Sequence, residues 1–251
     1  MTELFRKTMA EGLTSLGIHP GDTVLVHSSM KALGIRETPE TFLRAFCDYL
    51  GEDGTLLLPA LSYGSVGASQ PLFDIRNTPA CIGLLPNTFL AMDGVVRSMH
   101  PTHSVAARGK RAVELTREHV LDETPVGAHS PFRLLPGVGG KILMIGHINE
   151  HCTFMHGMEE IAHAPYCLEK EKTRYLLRDA DGTEREVFQY HHDFRDIAAQ
   201  RYDRFDLVLS APDVIHAKLF SADCTAIDAA ALQRAAVAKM KEDPYFFVDR
   251  K

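Results

Sequence analysis

Three short apolar runs constrain this chain more than any other feature. Thr23–Val26 (TVLV) and Thr55–Leu58 (TLLL) flank a helical pattern, and Lys141–Ile145 (KILMI) repeats the type further on. Each run is aliphatic without polar alternation and too short for a helix, as expected of strands covered on both faces. Between the first two, Thr38-Pro39 reads as an N-cap with proline at the first helical position. Phe42, Leu43, Phe46 and Leu50 then form an apolar stripe at helical spacing. Strand, helix, strand is the unit of a parallel α/β core. Such sheets bind ligands beyond the carboxyl ends of their strands. His27-Ser28-Ser29, the loop after Leu58 and Gly146-His147 therefore mark where a site is expected.

The rest of the chain fits around that core. Leu4, Phe5, Met9, Leu13 and Leu16 predict an amphipathic helix stopped at Gly17. Residues 61–79 are irregular and rich in Gly, Ser and Pro, a length of loop that is usually functional or disordered. Helices are expected over 82–92, 110–119, 154–162 (opened by Thr153) and 228–241 (capped by Asp228). A strand is expected at 104–107, a hairpin over 172–190 turning at Asp179-Ala180-Asp181-Gly182, and short strands at 207–209 and 214–219. No linker, repeat or shift in composition divides the chain. One domain spanning 1–251 is expected, with the hairpin as an antiparallel insertion.

Composition removes several functions. Lys and Arg total 27 against 33 Asp and Glu, a formal charge of -6, which argues against a nucleic-acid binder. No apolar run approaches the ~18 residues of a membrane span, and the first residues hold no apolar signal core. The five cysteines are scattered, odd in number and without a CxxC pair, so they read as reduced thiols of a cytoplasmic protein.

Four segments carry possible chemistry. His27-Ser28-Ser29-Met30-Lys31 offers hydroxyls, turn amides and a cation after a buried strand; the plainer alternative is a strand-to-helix cap. Arg97-Ser98-Met99-His100-Pro101-Thr102-His103-Ser104 packs a cation, two imidazoles and hydroxyls together, or is a surface loop. In Thr153-Phe154-Met155-His156-Gly157-Met158-Glu159, a helix would put His156 and Glu159 on one face. A carboxylate beside an imidazole fixes its tautomer and stabilises its protonated form, as a general base needs; the commoner outcome is an ordinary surface pair. His191-His192-Asp193 lies after the hairpin and could add to the site or simply end a strand. His147, His151, Cys152 and His156 are potential metal ligands but match no established spacing, so no metal is expected. Leu135–Gly140 looks like a phosphate loop, yet precedes a strand instead of following one, and reads as a turn.

Taken in order, the segments resemble the aminoglycoside 3-N-acetyltransferase family. The matching features are Val26-His27-Ser28-Ser29 with Leu33-Gly34, Asp53-Gly54-Thr55-Leu56 with Pro59, Phe73-Asp74 with Thr78-Pro79, and Arg97-Ser98-Met99-His100-Pro101 with Ser104, Ala107 and Gly109. Ser130-Pro131, the Leu143–Gly146 strand, the TxxHxxE pattern of Thr153, His156 and Glu159, and Pro165-Tyr166 complete the set, over roughly residues 10 to 195.

The resemblance implies an α/β fold with a central mixed, largely parallel sheet flanked by helices. It implies acetyl-CoA as co-substrate and the 3-amino group of an aminoglycoside as acceptor. His27, Ser28, Ser29, Met30, Lys31, Arg97, Ser98 and Ser104 are then the CoA-site candidates, His156 the general base and Glu159 its partner. Tyr63, Asp74, Asn77, Glu159 and Asp193 are the candidates for the acceptor side. Cys152 departs from the family, where Asn often precedes the Thr of TxxHxxE. The family also holds members whose acceptor is not an antibiotic, so antibiotic resistance does not follow. The alternatives are acylation of another amine, such as an amino sugar nucleotide or a small natural product, a metal-dependent hydrolase, and a CoA binder without turnover. The expected partners are a small-molecule amine, CoA and at most a second copy in a homodimer.

Overall fold

The computed structural model describes residues 1–251. α1 (Glu3–Ser15) leads to β1 (Thr23–Ser28), the single turn α2 (Met30–Leu33), α3 (Pro39–Leu50) and β2 (Thr55–Pro59). β3 (Leu72–Asp74), α4 (Leu84–Leu90), β4 (Val96–Arg97), β5 (Val105–Gly109), α5 (Ala112–Thr116) and α6 (Pro131–Leu134) precede β6 (Lys141–Ile145). Then come α7 (Phe154–Ala162), β7 (Leu168–Arg178), β8 (Glu184–His192) and β9 (Ile197–Gln200). β10 (Val214–Leu219), β11 (Ala222–Asp228), α8 (Ala229–Glu242) and β12 (Val248–Arg250) close the chain.

The three apolar runs are neighbours at the centre of a seven-stranded sheet ordered β10-β11-β6-β1-β2-β5-β4. β1 runs parallel to both β2 and β6. The sheet is mixed, as expected, but the parallel part is confined to those three strands: β10–β11, β11–β6, β2–β5 and β4–β5 all pair antiparallel. That corrects the expectation of a largely parallel sheet. On one side the cause is β11, which a two-residue turn at Phe220-Ser221 folds back from β10 and lays against β6; on the other it is β5, which runs antiparallel to both β2 and β4. No Gly or Asn marks that turn; Phe220 itself takes the positive φ of 53°.

The alternation of side chains on the central strands builds a core on each face. Val24, Val26, Leu56, Leu58, Leu143 and Ile145 face α1, α3 and α4 in one cluster of 27 buried residues. Leu25, Leu57, Ile142 and Met144 face α7 and α8 in another of 25. Apolar residues on both faces explain why the runs read as continuous instead of alternating. Two of the capping expectations hold, with Thr38 accepting a hydrogen bond from the Thr41 amide and Asp228 from the Ala231 amide, whereas Thr153 opens α7 in an already helical backbone and makes no capping bond. The hairpin is β7–β8, with β3 from the irregular stretch added parallel to β7 in a separate three-stranded sheet. The helix expected over 110–119 is only α5 followed by a 3-10 turn at His119–Leu121, and two further details differ. Leu4 lies 73% exposed, off the buried stripe of α1, and Leu207 ends a 3-10 turn (Tyr202–Leu207) where a strand was expected.

Gly109 shows how tightly β2 and β5 meet. It pairs with Thr55 at φ 125°, and a Cβ there would lie 2.1 Å from the Gly54 carbonyl oxygen. Gly109→Ala is expected to cost about 2–4 kcal/mol, through backbone strain and a clash that no side-chain rotation relieves. Urea unfolding measures this; an unchanged midpoint would refute it.

Candidate active site

A cavity of about 610 Å³ opens where the carboxyl ends of β1 and β2 meet α7. His27 and Ser28 end β1 and line it, as do Leu58 and Pro59 from β2. Tyr63, Thr153, His156, His103, His192 and Phe194 supply most of the rest of the wall.

α7 brings the first chemical pair to this wall. Phe154, Met155 and Met158 are buried with His156, Gly157 and Glu159 between them, so packing drives the polar residues inward as well. Gly157 is needed there: a Cβ would come within 2.9 Å of Arg133 and Val126. The i,i+3 spacing then joins His156 Nδ1 to Glu159 Oε2 at 2.9 Å. Glu159 has no exposed surface. Its other oxygen, Oε1, accepts from the hydroxyls of Tyr202 (2.9 Å) and Tyr166 (3.1 Å). Three donors therefore satisfy a carboxylate that would otherwise be costly to bury. Tyr202 Oη also sits 3.0 Å from His156 Nδ1. Since that hydroxyl proton goes to Glu159, Nδ1 is the protonated nitrogen and donates to both oxygens. This hydrogen-bond network assigns the tautomer and leaves the Nε2 lone pair of His156 for the cavity. Burial and the neighbouring Glu159 push both tyrosine hydroxyls upward in pKa, so they stay phenols and donors.

Imidazoles from two other segments close on His156. His103 precedes β5 and His192 ends β8; their ring centroids lie 6.0 and 4.5 Å from that of His156, and 4.8 Å from each other. Phe194 stacks on His156 at 5.2 Å. Burial holds His27, at about 3, and His103 and His192 far below the ordinary imidazole pKa, so all three are neutral. Burial also lifts Glu160 to about 7, even though Thr124 and the Val126 amide donate to it.

The structure separates the sequence candidates. His27, Ser28, Tyr63 and His156 reach the cavity wall, and Glu159 stands directly behind it. Ser29 precedes the single turn α2, in which Met30 and Lys31 stand. Arg97, Ser98 and Ser104 are instead bound into the scaffold. Arg97 donates to Ser104 Oγ and to the carbonyls of Thr78 and Ala60. The Ser104 hydroxyl donates to Ala60 O, which takes away the proton an oxyanion would need. Ser98 Oγ accepts from the Val105 amide and meets His119 Nδ1 at 2.9 Å. Asp74 accepts from the Arg76 and Asn77 amides and from the Asn77 side chain, with Arg178 at 3.4 Å. Asp193 is held by Arg195. Of the possible metal ligands, His147 has a 91% exposed side chain and Cys152 is buried with its thiol pushed up to about 12; neither joins His156. Sequence reasoning missed Tyr202, which no motif marks, and did not single out His192 from its neighbours.

The sequence profile of the aminoglycoside 3-N-acetyltransferase family matches residues 25–241. The chain belongs to this family. Aminoglycoside N(3)-acetyltransferase VII of Streptomyces paromomycinus is 35% identical over 178 residues, 64% of this chain. The matched region spans 62% of that relative's length. Among solved structures, aminoglycoside acetyltransferase AAC(3)-Xa superposes with a TM-score of 0.82 at 26% identity, over 94% of this chain and 92% of the other. AAC-IIIb, determined as a binary complex with CoASH, gives 0.81 at 26%, over 94% and 96%. Within the family pattern, the TxxHxxE segment brings Thr153 and His156 to the cavity wall with Glu159 hydrogen-bonded to His156 from behind, and Cys152 packs in the core beside it.

Proposed function

We propose that this protein transfers an acetyl group from acetyl-CoA to an amine in a ternary complex, with His156 as general base. The observation that carries the reading is the hydrogen-bonded pair: Nδ1 of His156 is held by buried Glu159, which leaves Nε2 on the cavity side. Nε2 takes a proton from the acceptor nitrogen as that nitrogen bonds to the thioester carbonyl carbon. Glu159 stabilises the imidazolium so formed. The C–S bond then breaks, and the proton passes to the departing CoA sulfur. His27 and Ser28, at the carboxyl end of β1, are proposed to meet CoA. His27 supports this with a buried Nε2 that has no protein partner. Thr153, one turn before His156 and without a capping bond, offers a hydroxyl on the same wall for the developing oxyanion.

The relatives' names point to the 3-amino group of an aminoglycoside as acceptor. The wall favours a second reading within the same chemistry. Its surface is aliphatic, aromatic and imidazole, while Asp74 and Asp193, the carboxylates that would attract a polycation, are tied to Asn77, Arg178 and Arg195. An acceptor with one amine on a less charged frame, such as an amino sugar or a small natural product, suits that surface. Thiol release from acetyl-CoA, measured with a panel of aminoglycosides beside amino sugars and simple amines, tests both readings. Release with any amine supports acetyl transfer, and the better acceptor class chooses between the two. No release with any of them, although acetyl-CoA binds, would refute catalysis.

A further inference from the structure

We infer that His103, His156 and His192 form a three-imidazole site for a borderline-soft divalent cation of the Zn²⁺ class, its fourth position open to the cavity. One ring nitrogen from each residue lies within 4.8 Å of the other two. Tetrahedral Zn–N bonds of about 2.0–2.1 Å place such nitrogens about 3.3 Å apart, a contraction that small ring rotations supply. Two of the nitrogens on the far side of the rings are already hydrogen-bonded, and the third, His192 Nε2, makes no hydrogen bond but has a carboxylate close by. Thr102 Oγ1 lies 2.9 Å from His103 Nδ1, Glu159 Oε2 lies 2.9 Å from His156 Nδ1, and Glu160 Oε1 lies 3.5 Å from His192 Nε2. Metal-binding histidines have this outer arrangement, an oxygen partner on the second nitrogen that fixes ring orientation. Two of the three partners are carboxyl groups, Glu159 and Glu160, and their ionised forms offset the charge a dication brings into a buried site. Phe194 packs on His156 and His192 at 5.2 and 5.1 Å and keeps that side apolar. An all-imidazole set selects Zn²⁺, Co²⁺, Ni²⁺ or Cu²⁺ over Mg²⁺ and Ca²⁺, which prefer oxygen.

The site goes beyond the acetyl-transfer reading and has a consequence for it: a bound cation occupies the Nε2 lone pair that proton transfer needs, so the loaded protein does not acetylate. The test needs neither acetyl-CoA nor an amine, so its failure is separate from any failure of that reading. Co²⁺ is titrated into the purified, chelator-stripped full chain and followed by its visible absorption, with Zn²⁺ as competitor. One equivalent is expected, with the intense bands of a tetrahedral ion that Zn²⁺ displaces. Loss of an outer-shell partner typically costs about 10–100-fold in metal affinity, so His103→Ala and His192→Ala, which remove ligands, are each expected to lose more than that. His103→Asn and His192→Gln, closer in shape, guard against loss of fold, which circular dichroism checks. His151→Ala, whose ring is 69% exposed on the same wall, is expected to bind normally. No stoichiometric Co²⁺ binding, or equal affinity in the folded ligand variants, overturns the site.

Discussion

His156→Ala is expected to lower kcat by about 10²–10⁴-fold, the usual worth of a positioned general base, with little change in the KM for acetyl-CoA. The split follows from geometry. Nδ1 of His156 is committed to Glu159 and Tyr202, so the ring's only free nitrogen is the one on the cavity side. Truncation removes that nitrogen without touching His27 or Ser28 at the end of β1, where CoA is proposed to lie. It leaves Glu159 hydrogen-bonded by two tyrosines, so the buried carboxylate is not stranded and the chain is expected to fold. Steady-state thiol release with the best acceptor, with circular dichroism as the control for fold, gives the answer. A folded variant with near-normal kcat would remove His156 from the mechanism. A loss confined to KM would make it a binding residue instead.

What the sequence made legible follows from range. The central strands were readable because burial on both faces makes TVLV, TLLL and KILMI apolar throughout, a local property. His156 and Glu159 were readable because one helical turn joins them. Tyr202 was not: it is 46 residues from His156 and 43 from Glu159 along the chain, and nothing local distinguishes it from other tyrosines. The same holds for the imidazole cluster, gathered from the loop before β5, from α7 and from the end of β8, while the nearer His147 is exposed and His151, though on the cavity wall, stays outside the cluster. Arg97 and Ser104 carry an opposite lesson. A cation and hydroxyls in one segment look like a phosphate or oxyanion site, yet their donors are consumed by the carbonyls of Ala60 and Thr78. Motif residues of this kind shape the wall from behind. β11 is not legible because its hairpin turn lacks the Gly or Asn that usually marks one, and the antiparallel pairs it makes with β10 and β6 are hidden with it; β5 is legible as a strand, but its direction beside β2 is not a local property.

Stability is expected to fall steeply below pH 6.5. His27 and His100 are held near pKa 3, and His103, His119 and His192 well below the ordinary value, burial being the largest cause in each case. The unfolded chain takes up protons at these five rings near pH 6.5 while the folded chain does not. A depressed folded pKa gives a contribution fully present above the unfolded value and lost as pH falls toward the folded one. Each ring, once its unfolded form is protonated, gives up about 1.4 kcal/mol per pH unit. Glu160 has the opposite sign. Burial raises it to about 7, so the native state binds its proton first and gains stability as pH drops from there toward its unfolded value. It offsets roughly one histidine. The net slope is about 5 kcal/mol per pH unit near pH 5.5, against a total stability typical of domains of about 5–15 kcal/mol. Unfolding is therefore expected near pH 5, with uptake of about four protons. Urea titrations at a series of pH values, with EDTA present to keep the three-histidine cluster free of metal, measure the slope directly. A flat profile between pH 7 and 5 would mean that these imidazoles are charged or solvated in the native state.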